Sequence, residues 1–281
     1  MTASTAAAPV DARPAGPGLA RIVATELLKL RTTRMWWGLL LTGVLLAFLQ
    51  SGLLAALAGT SAGGTGRATP PPTDPAVLRS IYTGGLSLGY VVTLSLGVLG
   101  MAGEYRHQTI TPTLLAVPRR TLLVAAKVVA YLLAGLAYGV AFVLAGAVLG
   151  GIVVSARGYP LGLGAPGVVR AMFLAVLACG IWAVFGLGLG TLIRNQLVAL
   201  LVAVASAVLA GPLLALALQA AHVGSVAQYL PNQASAALVE GTSGGVEQTL
   251  LPWWGGALVM LAYGVVFAGL GAVLTTRRDV T

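Results

Sequence analysis

The chain has 281 residues, of which 58% are hydrophobic and 8% charged, with a formal net charge of +9 and one cysteine. Soluble domains carry about 25% charged residues, so this chain cannot cover a water-facing surface with polar side chains, and lipid must be its main solvent. One cysteine, Cys179, excludes an intrachain disulfide framework. Basic residues in a membrane chain set topology, so no nucleic-acid partner is expected.

Residues 1–18, MTASTAAAPVDARPAGPG, lack the apolar core of a secretory signal and read as a disordered tail. Leu19–Arg34 follows as a separate element. Leu19, Ile22, Val23, Leu27 and Leu30 can share one helical face, while Arg21, Lys29, Arg31 and Arg34 lie largely elsewhere, and Trp36-Trp37 come next. This suits an amphipathic helix lying in the interface, or a basic flank with helical character; the two are compatible.

A membrane-crossing helix needs about 20 mostly apolar residues. Six runs qualify: Trp36–Leu57, Ile81–Ala102, Leu122–Val154, Ala171–Ile193, Leu197–Ala221 and Trp253–Thr275. The third is long enough to tilt, or to begin in the interface at Lys127. Six spans put both termini on one side. Twelve of the 16 basic residues fall on that side, and four (Arg67, Arg79, Arg157, Arg170) on the other. The termini and the 103–120 stretch are therefore expected in the cytoplasm, in a plasma-membrane protein. Gly59–Ser80, Ser155–Arg170 and His222–Pro252 become outer loops. The last holds an apolar run, Ala234–Val239, which reads as a short helix dipping into the membrane or as a surface loop.

No Asp, Glu, Lys, Arg or His falls in the middle of a run, where ion-coupled transporters and proton pumps keep theirs. His107 and His222 fall on opposite sides of the membrane, no Asp/Glu pair has helical spacing, and there is no G-x-x-x-x-G-K-[ST] loop for ATP. The expectation is therefore a non-enzyme with no cofactor or metal of its own, in which a partner supplies any work. Gly85/Gly89, Gly146/Gly150 and Gly186/Gly190 are G-x-x-x-G pairs that allow close helix contact.

The charge this chain avoids elsewhere gathers in Gly103–Arg120. Thr111 can cap a short helix, Pro112 suits its first turn, Leu114, Leu115 and Val117 follow, and Pro118 stops it before Arg119-Arg120. An apolar turn rimmed by charge is a docking element, or a linker whose leucines dip into the interface.

Glu104-Tyr-Arg-His-Gln-Thr-Ile-Thr-Pro-Thr-Leu-Leu-Ala-Val-Pro-Arg-Arg120, followed by Lys127, resembles the first cytoplasmic loop of ABC-transporter permeases of the type-2 exporter class. Glu26-Leu-Leu-Lys-Leu-Arg31 resembles their interfacial entry helix, Tyr229-Leu-Pro-Asn-Gln-Ala-Ser-Ala-Ala237 the segment before their last span, and Arg277-Arg-Asp-Val280 their ending. The resemblance covers residues 19–281, which would form one six-span permease domain. Gln108 departs from it, standing where the family often has glycine.

The resemblance implies an all-α polytopic fold with six transmembrane helices, an interfacial helix carrying Glu26, Lys29 and Arg31, and a coupling helix between spans two and three. It implies a dimer with a second permease subunit through the first and fifth spans. It also implies a separate ABC ATPase subunit, which would hold the ATP and Mg. Glu104, Arg106 and Thr109 would brace the coupling helix against the entry helix and second span. Pro112 and Pro118 would bound it, Leu114 and Leu115 would fill the ATPase groove, and Arg119 and Arg120 would meet acidic groups or lipid phosphate. Pro231 and Asn232 would narrow the outer exit. A non-transporting scaffold or immunity-type protein is the alternative, followed by an intramembrane enzyme.

Overall fold

The computed structural model describes residues 18–60, 69–84, 86–109, 120–193, 195–239 and 250–277. Every regular element among them is helical: α1 (Leu19–Thr32), α2 (Met35–Leu57), α3 (Pro75–Thr83), α4 (Leu86–Arg106), α5 (Arg120–Ala156) and α6 (Val168–Leu192), then α7 (Gln196–Ala205), α8 (Gly211–Ala220), α9 (Gly224–Ala227), α10 (Pro231–Val239) and α11 (Trp253–Arg277). Six helices are long and apolar enough to cross a membrane, so the chain is an all-α polytopic membrane protein. The expected tail, the coupling helix Thr111–Val117, Gly85 and the ending after Arg277 lie outside the described residues.

The second span begins earlier than its apolar run. Asp74 accepts from the Ala76 N–H at 2.8 Å and Pro75 occupies the first turn, so α3 forms inside the expected outer loop and lengthens the second span at its N-terminal end. The third span overruns its apolar core in the same way: the 37 residues of α5 extend about 55 Å at 1.5 Å per residue.

The second and fourth spans form the centre. Ala183 and Leu94 present backbone carbonyls that would lie 2.0 Å from a Cβ at Gly97 and at Gly186, so α4 and α6 meet backbone to backbone only because both positions are glycine. Gly190 repeats the contact one turn along, against Val98. Leu94, Val98, Ala178 and Trp182 fill the core here, with Tyr90 stacked on Trp182 at 4.6 Å. Gly146 and Gly150 make room for Ser51 of α2, whose hydroxyl donates to the Ile81 carbonyl.

Burial falls off outward. Only 17% of the apolar window of the fifth and of the sixth span is buried, against 61% of the fourth. Leu41, Leu45, Leu49 and Leu53 form an exposed stripe at four-residue spacing on α2, as do Val140, Leu144, Val148 and Ile152 on α5. Exposed apolar ridges of this length face lipid or another membrane helix.

Candidate coupling site

The site is built where α1, α4 and α5 meet. On α1, Ile22 and Glu26 are buried one turn apart. On α5, Leu123 and Lys127 repeat that spacing, and Ile22 packs against Leu123 and Ala126. The apolar pair sets the two helices in register, and the next turn then brings Glu26 to Lys127. The sequence placed α1's apolar face at Leu19, Ile22, Val23, Leu27 and Leu30. In the fold Leu19 is exposed, and Glu26, at 3% exposure, takes an inward position.

Four charges close a ring. Lys127 Nζ donates to Glu26 Oε2 at 2.7 Å and to Glu104 Oε1 at 2.6 Å. Lys29 Nζ donates to Glu26 Oε1 at 2.7 Å and to Glu104 Oε1 at 3.0 Å. Each lysine thus bridges both carboxylates, and the ring is electrically neutral. Glu26, Glu104 and Lys127 are buried, while Lys29 keeps one side to solvent. Removing one member of such a buried set leaves an uncompensated charge in low dielectric, which costs more than the contact itself contributes.

Burial acts to raise the Glu26 pKa, but the Lys127 and Lys29 ammonium groups outweigh it and hold the carboxyl below its ordinary value. Burial acts to lower Lys29, and Glu104 and Glu26 outweigh that in turn, so its pKa is raised.

Glu104 belongs to the last turn of α4. The Thr109 N–H returns to the Glu104 carbonyl at 3.0 Å, with Gln108 at φ 53, a left-handed closure that normally falls to glycine. Gln108 therefore keeps the tight turn at the cost of strain. Arg106 turns away from the ring and reaches Gln196 Oε1 at 3.2 Å, tying the second span to the start of the fifth. Arg31 is exposed on α1, and its carbonyl accepts from Trp36 Nε1 at 2.9 Å, which fixes the bend into the first span. Pro112, Leu114, Leu115, Pro118 and Arg119 lie outside the described residues; Arg120 opens α5.

Sequence reading did not single out Lys127 as a site residue, although it is the hub. Its trace is the match between the Ile22/Glu26 and Leu123/Lys127 spacings, which means something only once α1 is known to lie on α5.

At the other end of the bundle, α10 packs among the spans. Ala234 and Leu238 are fully buried, and Trp182 Nε1 donates to Ser235 Oγ at 3.3 Å. The fifth span is interrupted midway by a π-helical turn, Ser206–Ala210, in which the Gly211 N–H bonds the Ser206 carbonyl five residues back. The next donor in that register is Pro212, which has no N–H, so the Ala207 carbonyl loses its helical partner. Asn232 Nδ2 supplies the missing bond at 2.7 Å. Gly211 leaves room for it, since a Cβ there would stand 3.1 Å from Asn232 Nδ2. Pro231 opens α10 and aims Asn232 at this carbonyl. Of the two readings of Ala234–Val239, the structure has the short helix, packed against mid-span residues of the fourth and fifth spans.

Among the described residues no group of three or more His, Cys, Asp or Glu side chains could hold a metal. No protein-family model matches the chain, and no characterised protein matches it in sequence.

Proposed function

We propose that the chain is the membrane-spanning permease subunit of an ATP-binding-cassette exporter, driven through its 103–120 loop by a separate ATPase subunit. The observation that carries this reading is Lys127 bridging Glu26 and Glu104. A force delivered at the loop meets its two roots, Glu104 on α4 and Lys127 on α5, already locked to each other and to α1. A push there moves α1, α4 and α5 as one body and is not absorbed by a slack turn. That no Asp, Glu, Lys, Arg or His stands in mid-span agrees with work supplied from outside the membrane. The resemblance of residues 104–120 to the type-2 exporter loop supports the same partner.

In this reading the chain is not an enzyme and carries no cofactor; ATP and Mg are held by the partner. It acts as a dimer with a second permease subunit in the plasma membrane, with both termini cytoplasmic, as the basic asymmetry supports. The α10 helix, held by Asn232, narrows the outer exit. The test is purification from native membranes with an affinity tag. A nucleotide-binding subunit should co-purify, and its ATP hydrolysis should depend on this chain. Purification that yields this chain free of any ATPase, while export persists, excludes the reading.

A further inference from the structure

Beside the ring of four charges lies a cleft of about 400 Å³, counting its open mouth, walled by Met101, Leu123, Val128, Leu187 and Phe267. Its enclosed part has room for one small polar head. Three polar side chains line the cleft: Glu104, Lys127 and Thr191. Glu104 is 93% buried by its 7% exposure, yet its Oε2 is buried without a hydrogen-bond partner, while Oε1 takes both lysines. A buried carboxylate oxygen left bare is costly, so the molecule is incomplete at this atom.

We propose that this cleft binds an uncharged amphiphile through a terminal hydroxyl, which donates to Glu104 Oε2 while its apolar chain lies along Leu123, Val128 and Phe267. The chemistry of the lining selects that head group. Glu104 Oε2 can only accept, and the Thr191 hydroxyl hydrogen is engaged with the Gly188 carbonyl at 2.6 Å. Lys127 has three N–H groups, and the two carboxylates take two of them, so its third can donate to the ligand. A hydroxyl satisfies both needs, giving its hydrogen to Glu104 and accepting from Lys127. An ammonium can only donate and an ether can only accept. The ring beside the cleft is neutral, so a charged head would find no counter-charge. Thr191 stands at the end of the fourth span and Glu104 near the end of the second, so the cleft opens at the depth of lipid head groups and upper acyl chains. A neutral lipid of the glyceride or fatty-alcohol class is the occupant that meets all these conditions. The inference is independent of the transport reading, because it concerns a site on the chain whatever the spans do.

The test uses the full chain in lipid nanodiscs and a photoactivatable long-chain alcohol, with labelled peptides located by mass spectrometry. Saturable labelling is expected around Met101, Leu123 and Phe267. The methyl ether and the primary ammonium of the same chain should each compete about tenfold more weakly than the alcohol, the size of one hydrogen bond to a charged acceptor. Ala268 of α11 also lines the cleft, and Ala268→Leu, which fills it without removing a ring residue, should abolish the labelling. Three results overturn the proposal: equal competition by the ether or the ammonium, saturable labelling that survives Ala268→Leu, or no saturable labelling in wild type, which leaves water alone as the occupant. The competition series is run on wild type, so it decides the matter even if the variant folds poorly.

Discussion

Asn232 Nδ2 donates to the Ala207 carbonyl at 2.7 Å, across 25 residues of sequence. The bond exists because Pro212 cannot make it. A carbonyl in mid-span has no water to turn to, so the short helix α10 completes a backbone hydrogen bond that the fifth span lacks.

Asn232→Leu should therefore destabilise the protein by about 1–3 kcal/mol, the cost of a buried acceptor left bare. Pro212→Ala returns an N–H to the fifth span. In that background Asn232→Leu should cost markedly less, with a coupling of about 1 kcal/mol between the two sites. Thermal melts of the two single variants and the double variant in detergent measure it. Strict additivity would show that Asn232 and Pro212 do not serve the same carbonyl.

Lys127→Met keeps the length of the side chain and removes its charge. Glu26 and Glu104 are then left with Lys29 alone, itself part exposed. The expected loss is about 3–5 kcal/mol, typical of breaking a buried pair from one side. A cysteine pair at Ile22 and Leu123, which pack together in wild type, should crosslink efficiently in the parent and poorly in the variant. Undiminished crosslinking and an unchanged melt would show that α1 is seated without the ring.

The ring should make stability nearly flat across the neutral range, with a fall at each extreme. Glu26 has a depressed pKa, so its contribution is fully present above the ordinary carboxylate value of 4.5. It is lost as pH falls through the depressed value. Lys29 has a raised pKa, so its contribution is fully present below its ordinary 10.5. It is lost as pH rises through the raised value. Melts of wild type against Glu26→Gln should differ most at neutral pH and converge in acid. A difference that grows as pH falls below 4.5 would give the shift the opposite sign.

Gln108 and His222 hold left-handed backbone at φ 53 and 59. Each closes a helix with a bond from the next residue's N–H to a carbonyl five residues back: Thr109 to Glu104 and Val223 to Leu218. Replacing either by glycine should stabilise the protein by about 0.5–1 kcal/mol, the strain removed less the unfolded-state entropy that glycine adds. A lowered melting temperature in Gln108→Gly would mean that the glutamine side chain contributes a contact of its own.

The spans were legible because crossing a membrane demands long apolar runs, and each of the six runs became a span. The ends were less so. Pro70-Pro-Pro72 reads as loop, and the Asp74-Pro75 start signal beyond it lengthens the second span at its N-terminal end. The ring was legible in part: Glu26, Lys29 and Glu104 stand out as charge in an apolar chain. The hub, Lys127, looked like the edge of a span, because its partners lie 101 and 23 residues away. Asn232 could be marked from the segment before the last span. Its partner could not, since a π turn ahead of a proline leaves no periodic trace in a uniformly apolar helix.

The central claim is that work enters through the 103–120 loop. Its most direct test is Leu114→Asp with Leu115→Asp, followed by affinity purification from native membranes and assay of ATP hydrolysis and export. The spans are untouched, so insertion should be normal. A carboxylate placed in an apolar groove costs several kcal/mol, enough to abolish a contact of modest affinity. The ATPase subunit and ATP-dependent export should be lost together, while Leu114→Ala weakens both less, by about 2 kcal/mol of apolar burial. A double variant that keeps the ATPase subunit and full export would contradict the account and make the loop a linker.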